Sequence, residues 1–292
     1  MAVTVKAYAK INLLLDILST LPNGYHDLYM LMQSVSIYDT VTVKETNDKK
    51  ITIICDKDGI PTDEKNIAYK AALNFFEYTK RENPGIRITL KKNIPHAAGL
   101  AGGSADGAAV VIALRKLFAP SLSDREICEI CERFGSDVPF CALGGTMIAQ
   151  RTGTILTYMP QLDLPYIVIV KPDCSVSTAE AYKAFDTAGH IRHPDRSGIF
   201  NAVIENDTDT LTRLVDNVFE QFIDIPERVS IKAVMRKHGA KCACMSGSGP
   251  SIFGIFPDEK SAVEAFEELK SDYADTFLCK TVKNGTEIVS DE

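Results

Sequence analysis

The stretch that decides the fold reads Ile94-Pro-His-Ala-Ala-Gly-Leu-Ala-Gly-Gly-Ser-Ala-Asp-Gly-Ala-Ala109. It follows Gly85 to Lys92, where isoleucine and leucine alternate with polar residues, a pattern typical of a strand with one buried face. It leads into Ala105 to Phe118, which is apolar nearly all round and therefore predicts a buried helix. The sequence thus predicts a strand, a loop of small residues and a buried helix in succession.

The composition of this loop favours binding of a phosphate group. Small side chains let backbone amides approach a ligand closely, and the N-terminus of the following helix adds positive potential. Ser104 offers a hydroxyl donor or a metal ligand. The loop is neither a Walker A sequence nor G-x-G-x-x-G. The alternative is a tight strand-to-helix turn whose glycines serve only close packing.

Two charged residues outside the loop are candidates for catalysis. Asp137 lies in the first turn of a short helix that Ser136 is predicted to cap. An acid there commonly does no more than stabilise the helix dipole, but the same environment keeps a carboxylate ionised, as the acceptor of a hydroxyl proton must be. Lys10 interrupts an otherwise apolar strand pattern. It either points to solvent or pairs with an acid and orients a substrate oxygen.

Aromatic and flexible segments predict a second part of the site. Asn23-Gly24 is typical of a hairpin turn. The next two residues are Tyr25, whose ring can stack on a nucleobase, and His26, whose imidazole can hydrogen-bond the edge of the base. Tyr182, on a helix beginning at Ser177, is either a second stacking face or a core tyrosine. Ser246 to Gly249 forms another turn rich in backbone amides.

Composition limits the class of protein. The chain has 292 residues, of which 45% are hydrophobic and 24% charged, and its net charge is -7. This length suggests two domains, with a boundary near Pro160. The acidic excess argues against nucleic-acid partners. The apolar runs are shorter than the roughly 20 residues that span a bilayer, and the N-terminus does not resemble a signal peptide, so we expect a cytoplasmic protein. Its eight scattered cysteines, including the pair Cys128 and Cys131, are expected to be reduced thiols.

The remaining elements follow from periodicity and capping patterns. The predicted strands are 3–6, 11–18, 35–37, 40–45, 50–55, 166–171, 241–245, 251–256 and 276–282, with a turn at Tyr38 and Asp39 and a hairpin over 146–158. The predicted helices are 66–80, 123–135, 136–144, 177 onward, 209–222, 226–238 and 258–270. The order in the second half is compatible with a split βαβ arrangement, in which helices cover one face of an antiparallel sheet.

Taken together, six segments resemble the GHMP kinase superfamily of small-molecule kinases, in order and over nearly the whole chain. They are Ala9 to Leu13, Gly24 to His26, Pro95 to Ala109, Gly135 to Phe140, Val176 to Tyr182 and Met245 to Pro250. The resemblance implies an α+β fold of two domains. Residues 1–160 would form an N-terminal ribosomal-protein-S5-like α/β domain with the ATP loop, and 161–292 a C-terminal ferredoxin-like split βαβ domain.

The resemblance also implies the reaction. ATP would phosphorylate a hydroxyl of a cytidine diphosphate-linked polyol, and Mg²⁺ would come with the nucleotide rather than on a dedicated protein site. The partners would be small molecules, without nucleic acid or membrane, and the chain would be a monomer or weak homodimer. Two alternatives remain: another kinase of the superfamily acting on mevalonate, homoserine or a sugar, and a non-catalytic relative that binds a metabolite.

The resemblance assigns three groups of site residues. Lys10 and Asp137 would be catalytic. The ATP-binding residues would be Asn66, Pro95, His96, Ala97, Ala98, Gly99, Leu100, Ala101, Gly102, Gly103, Ser104, Ala105 and Asp106. The substrate-binding residues would be Asn12, Tyr25, His26, Thr178, Tyr182, Ser246, Gly247, Ser248 and Gly249.

The chain departs from the family pattern at four positions. Ala105 stands where the family usually has serine, Gly107 where it has alanine, Arg115 where it has asparagine, and Thr154 lies in a turn that usually contains glutamate. Glycine in place of alanine weakens a helix by about 1 kcal/mol. These departures bear on nucleotide affinity rather than on the type of reaction.

Overall fold

A computed structural model describes residues 1–291 of the chain. In the first half the elements are β1 (Ala2–Thr20), β2 (His26–Glu45), β3 (Ile51–Cys55), α1 (Ile67–Thr79), β4 (Ile86–Lys91), α2 (Gly102–Phe118), α3 (Asp124–Glu132), α4 (Val138–Leu143), β5 (Thr146–Arg151) and β6 (Ile155–Tyr158). In the second half they are β7 (Ile167–Lys171), α5 (Thr178–Asp186), α6 (Arg196–Ile204), α7 (Thr208–Leu214), β8 (Asp216–Asn217), a 3-10 turn (Val218–Gln221), α8 (Arg228–Lys237), β9 (Cys242–Met245), β10 (Ile252–Ile255), α9 (Glu259–Asp272), β11 (Asp275–Cys279) and β12 (Thr286–Asp291).

The larger sheet is built on the long antiparallel pair β1 and β2. Its strand order is β12-β1-β2-β4-β3, and β5 and β6 extend it from β2. The buried helix α2 packs on this sheet and on α1. Its alanines and Gly107 allow a close approach, because a Cβ atom at Gly107 would lie 2.7 Å from Cγ2 of Ile67. The departure from the family pattern at Gly107 therefore has a packing reason in this chain.

The smaller sheet has the antiparallel order β11-β7-β10-β9. Val168, Val170 and Ile252 pack with residues of α8 and α9 in a separate apolar cluster, whereas Ile167, Ile169 and Phe253 belong to the main core. Helices thus cover one face of the sheet and the rest of the molecule covers the other. This confirms the predicted α+β fold.

The predicted turn at Tyr38 and Asp39 is wrong. β2 runs unbroken through these residues, and the extra length is absorbed by a register shift opposite Tyr8 and Ala9. Asp39 resembles a turn residue in sequence, but its side chain is fully buried and accepts hydrogen bonds from the backbone N–H groups of Asn93 and Ile94. Likewise, the strands predicted over 3–6 and 11–18 are one continuous strand, because residues 7–10 between them are buried and also pair with β2.

Three boundaries also differ from the predictions. The helix predicted over 209–222 ends at Leu214 and is followed by β8, where the Asn217 side chain bonds to backbone groups elsewhere. The strand predicted over 276–282 ends at Cys279. Ser136 does not cap the helix after it: α4 begins at Val138 with Asp137 at its N-cap, and no side-chain cap bond forms there among the described residues.

Two strands from the second half of the chain belong to the larger sheet. β8 pairs with β1 at Leu14 and Leu15, and β12 pairs with β1 along Val3 to Ala7. The single domain boundary near Pro160 stays a prediction, but any division of the chain must account for this return. Within residues 1–291, no helix has the length and apolar character needed to cross a membrane.

Candidate active site

One cavity of about 790 Å³ brings the predicted site residues together. Most of them line it, namely Lys10, Tyr25, His26, Asn66, Pro95, His96, Ala97, Ala98, Gly99, Ala101, Gly102, Gly103, Ser104, Asp106, Asp137, Thr178, Tyr182, Gly247, Ser248 and Gly249. Asn12, Leu100, Ala105 and Ser246 do not line it, because all four are fully buried behind its wall.

The small-residue loop is held in place by backbone hydrogen bonds. The Leu100 carbonyl accepts from the Lys10 N–H (3.1 Å), and the Ala98 carbonyl accepts from the Ser251 N–H (3.3 Å). Gly99 has a φ of +73°, and a Cβ atom there would lie 2.2 Å from the Ser246 carbonyl oxygen. The glycine therefore serves close packing as well as access to a ligand.

The loop ends at the N-terminus of α2, and this end faces the cavity. Ala101 occupies the N-cap position in a left-handed conformation (φ +59°), and among the described residues no side chain caps the helix. The first backbone N–H groups of a helix need acceptors, so an anion can take the place of the missing cap. The geometry is that of an anion site of the kind predicted from the sequence.

Buried Ser246 and Asn12 act as supports rather than as cavity walls. The Ser246 hydroxyl accepts from the Asn12 N–H (3.3 Å) and donates to the Gly99 carbonyl (3.0 Å). The Asn12 carboxamide oxygen accepts from Lys10 Nζ at 2.6 Å. Together they connect the strand, the loop and the turn at Ser246.

Lys10 and Asp137 form an ion pair at the cavity wall, with 3.6 Å between Nζ and Oδ2. The Lys10 side chain is almost fully buried, whereas that of Asp137 is about one-third exposed. Asn12 fixes the lysine from behind, so the ammonium points at the carboxylate. This supports the second of the two interpretations of Lys10: it pairs with an acid instead of pointing to solvent.

A second ion cluster was not predicted. Lys92 Nζ bridges the carboxylates of Asp39 and Asp106, and all three side chains are buried. Burial lowers the pKa of Lys92, but the two carboxylates more than offset this and the net pKa is raised. Burial raises the pKa of Asp106 to about 8; Lys92 opposes this rise and Asp39 adds to it. Lys92 and Asp106 line the cavity beside the loop, and Asp39 anchors the loop's entry through the Asn93 and Ile94 N–H groups.

The aromatic side chains of the site pack against one another, which the sequence did not predict. His26 stacks on Tyr182 (4.4 Å between centroids, 19° between planes), and the other neighbour of Tyr182 is the edge of Phe219. Tyr182 therefore supports His26 in this structure, and its predicted contact with a base stays a prediction. Tyr25 is 64% exposed and offers an open ring face.

Asn217 is another residue that the sequence did not reveal. Its amide group donates to the carbonyls of Met245 and Gly247 (both 2.8 Å), and its oxygen accepts from the Phe219 N–H (3.0 Å). It is fully buried and holds both ends of the turn at Ser246. A lone asparagine in a polar segment carries no local signal of such a role.

None of the cysteines lines the cavity. All eight cysteines are free. Burial raises the pKa of Cys128 to about 11 and that of Cys131 well above its usual range, which makes both thiols poor nucleophiles. Within residues 1–291, no three His, Cys, Asp or Glu side chains are grouped so that they could hold a metal.

Comparison with known proteins agrees with the geometry. The models of the N-terminal and C-terminal domains of GHMP kinases match residues 66–145 and 201–275. A 4-diphosphocytidyl-2-C-methyl-D-erythritol kinase of Clostridium tetani is 40% identical over 95% of this chain and 99% of its own length. One of Lachnoclostridium phytofermentans is 41% identical over 92% of each chain.

Solved structures show the same fold. A 4-(cytidine 5'-diphospho)-2C-methyl-D-erythritol kinase superposes with a TM-score of 0.76 at 27% identity, over 95% of this chain and 98% of its own. A homoserine kinase from Cytophaga hutchinsonii superposes with a TM-score of 0.80 at 21% identity, over 99% and 97%. At that identity the second likeness concerns the fold alone.

Proposed function

The chain belongs to the GHMP kinases, and from that premise we propose that it transfers the γ-phosphoryl group of ATP to the 2-hydroxyl of 4-diphosphocytidyl-2-C-methyl-D-erythritol. The products are the 2-phosphate and ADP. The reaction is a step of isoprenoid biosynthesis by the methylerythritol phosphate pathway. Relatives about 40% identical over nearly the full chain carry the name of this kinase, which supports this substrate.

The observation that carries the proposal is the position of the Lys10–Asp137 pair. On one side, Lys10 bonds to the loop through its backbone N–H. On the other, Asp137 lies near Tyr182. Burial is the main cause of the raised pKa of the Tyr182 phenol, and the charge of Asp137 raises it further. The pair therefore connects the anion site to the aromatic group in a single cavity, as a kinase with a nucleoside-linked acceptor requires.

The chemistry of the pair follows from its geometry. The acceptor hydroxyl loses its proton to the Asp137 carboxylate as its oxygen attacks the γ-phosphorus, and the bond to the β-phosphate oxygen breaks to release ADP. Lys10 fixes the carboxylate and places positive charge near the attacking oxygen. The loop N–H groups bind the phosphates. Catalysis is thus mostly positioning plus charge neutralisation.

The residues also fit a magnesium ion carried by the nucleotide. Ser104, Asp106 and Asp137, each with a side-chain oxygen, line the cavity, and Asp106 Oδ1 is buried without a hydrogen-bond partner among the described residues. Magnesium prefers a few such oxygens together with phosphates and water. When bound, the ion would neutralise charge on the transferred phosphoryl group.

The alternatives are weaker on specific grounds. Mevalonate, homoserine and sugars have no base for the open face of Tyr25 and the imidazole of His26. A non-catalytic relative has no need of the Lys10–Asp137 pair, which is buried on the lysine side and directed at the cavity. The expected monomer or weak homodimer stays a prediction.

The test is ADP release by the purified protein with Mg²⁺, ATP and the diphosphocytidyl substrate. We expect turnover that is lost in Asp137→Ala and retained in Asp272→Asn, a control at an exposed position on α9. Turnover no higher than that of Asp137→Ala would refute the proposal. Turnover with homoserine or mevalonate alone would establish the alternative kinase.

A further inference from the structure

Helix α5 holds the imidazole of His26 on three sides. Tyr182 stacks on its face, Phe185 meets it edge-on (5.9 Å, 87°), and Asp186 Oδ1 lies 2.8 Å from Nε2. These residues share one face of the helix because they are spaced i, i+3 and i+4. The stack fixes the plane of the ring, and the hydrogen bond fixes its rotation within that plane.

The bond to Asp186 determines which ring nitrogen carries a proton. An ionised carboxylate can only accept, so Nε2 must donate. The hydrogen bond from His26 lowers the pKa of Asp186, which keeps the carboxylate ionised. The Thr20 hydroxyl donates to the same oxygen at 3.2 Å. In the neutral ring, a proton on Nε2 leaves a lone pair on Nδ1.

The other nitrogen is available to a ligand. His26 is only 8% exposed, yet it lines the cavity beside Tyr25. Among residues 1–291, Nδ1 makes no hydrogen bond. A fixed ring with one free acceptor suits recognition of a base edge, because little conformational entropy remains to be lost on binding.

We infer, on the basis of the proposed function, that Asp186 is a positioning residue that selects the base. It holds His26 with the proton on Nε2, so that Nδ1 accepts a hydrogen bond from the amino group of cytosine. Uracil presents a carbonyl oxygen at the same place, and two facing acceptors repel each other. A site built around such a bond discriminates strongly against a base that cannot make it.

A purely structural role for Asp186 is the competing explanation, since the residue ends α5 and ties it to Thr20. The two explanations differ in what they do to selectivity. Loosening α5 would weaken binding of both pyrimidines alike, whereas loss of the fixed proton would weaken binding of cytidine more than uridine. The ratio of the two affinities therefore separates them.

The experiment is calorimetric titration with CDP and with UDP, while a non-hydrolysable ATP analogue with Mg²⁺ saturates the loop. We expect the wild-type protein to prefer CDP by at least about tenfold, and Asp186→Ala and Asp186→Asn to reduce that ratio to about threefold or less. Asp186→Glu, which keeps a carboxylate, should recover part of the ratio. Thr20→Val removes the other donor to Asp186 Oδ1 and should keep the wild-type ratio of CDP to UDP affinities. In turnover assays, the Asp186 variants should raise KM for the diphosphocytidyl substrate more than they lower kcat.

The outcomes distinguish this inference from the proposed function. An unchanged ratio in Asp186→Ala, or an equal fall in Thr20→Val, overturns the inference. So does a wild-type protein that binds CDP and UDP equally while still releasing ADP with the diphosphocytidyl substrate, and in that case the proposed reaction stands. A wild-type protein that binds neither nucleotide and releases no ADP overturns both.

Discussion

Replacing Lys92 with methionine tests the buried cluster beside the loop. The side chain of Lys92 is 4% exposed, and those of Asp39 and Asp106 are 0% and 4% exposed. Methionine keeps an apolar stem of similar length but removes the ammonium, so the two buried carboxyl groups would face each other without a counter-charge. Lys91→Met is the matched control, because that neighbouring side chain, on the last residue of β4, is exposed.

The expected loss of stability is large. Removing one partner of a buried ion pair costs about 3–5 kcal/mol. For a chain of this size, 1 kcal/mol shifts Tm by about 2–4 °C. Lys92→Met should therefore lower Tm by roughly 6 to 20 °C, whereas the control should stay within about 2 °C of the wild type.

The loss should also depend on pH. A carboxyl whose pKa rises from 3.8 to about 8 on folding, as that of Asp106 does, keeps its proton in the folded state. Its contribution to stability is full below pH 3.8 and is lost as the pH rises toward 8. Without the opposing ammonium the pKa of Asp106 should rise further, so the carboxyl of the variant keeps its proton to a higher pH than that of the wild type. Lys92→Met should therefore lose less Tm at pH 6 than above pH 8, where the wild-type carboxyl is already ionised.

The assay is differential scanning calorimetry of the wild type and both variants at pH 6 and at about pH 9.5, on either side of the folded pKa of Asp106. Two results would contradict the reasoning. One is a Tm for Lys92→Met no lower than that for Lys91→Met. The other is a loss that is the same at both pH values, since that would mean the two carboxylates do not share a buried site.

Three further predictions concern the loop, the catalytic pair and the turn. Lys10→Met should lower kcat by about 10²–10³-fold in a coupled assay of ADP release, with a much smaller change in KM for ATP. A fall in kcat that is fully accounted for by loss of folded protein would contradict a catalytic role. Gly99→Ala should destabilise the fold by more than about 1 kcal/mol in urea titration and weaken ATP binding, because a Cβ at 2.2 Å from a carbonyl oxygen requires the backbone to move. Gly239→Ala, also at positive φ but with open space around it, is the control and should lose only the roughly 1–2 kcal/mol of the left-handed conformation, less than Gly99→Ala. Asn217→Ala should cost about 2–4 kcal/mol in the same titration, since it removes the amide donor shared by two buried carbonyls beside Ser246; a loss below about 1 kcal/mol would show that water replaces the amide.

Much of the fold was predictable because its signals are local. The alternation in β4, the small residues of the loop and the apolar character of α2 each depend on neighbours in sequence, and all three elements form as predicted. The capping box at Ser123 forms with both of its hydrogen bonds. The predicted elements are wrong where a polar residue is buried by contacts with residues distant in the sequence. Asp39 was interpreted as part of a turn because its partner Lys92 lies 53 residues away.

The site was predictable to a similar extent. The loop, Lys10, Asp137 and His26 stand in recognisable segments, and the structure brings them into one cavity. Asp186 and Asn217 were missed because each acts through another residue. Neither lines the cavity itself, and neither stands in a pattern that sequence periodicity can detect.

By itself, the sequence determined the succession of β4, the small-residue loop and α2, and it placed Lys10, Asp137 and His26 in recognisable segments, because these features depend on spacing along the chain. Tertiary structure alone decided which charges pair, which ring nitrogen of His26 is left free, and which late strands return to the first sheet. Burial is the physical reason. A carboxylate on the surface is only a solvated charge, whereas the same carboxylate buried at Asp39, or hydrogen-bonded to a ring at Asp186, determines the protonation and position of its partner.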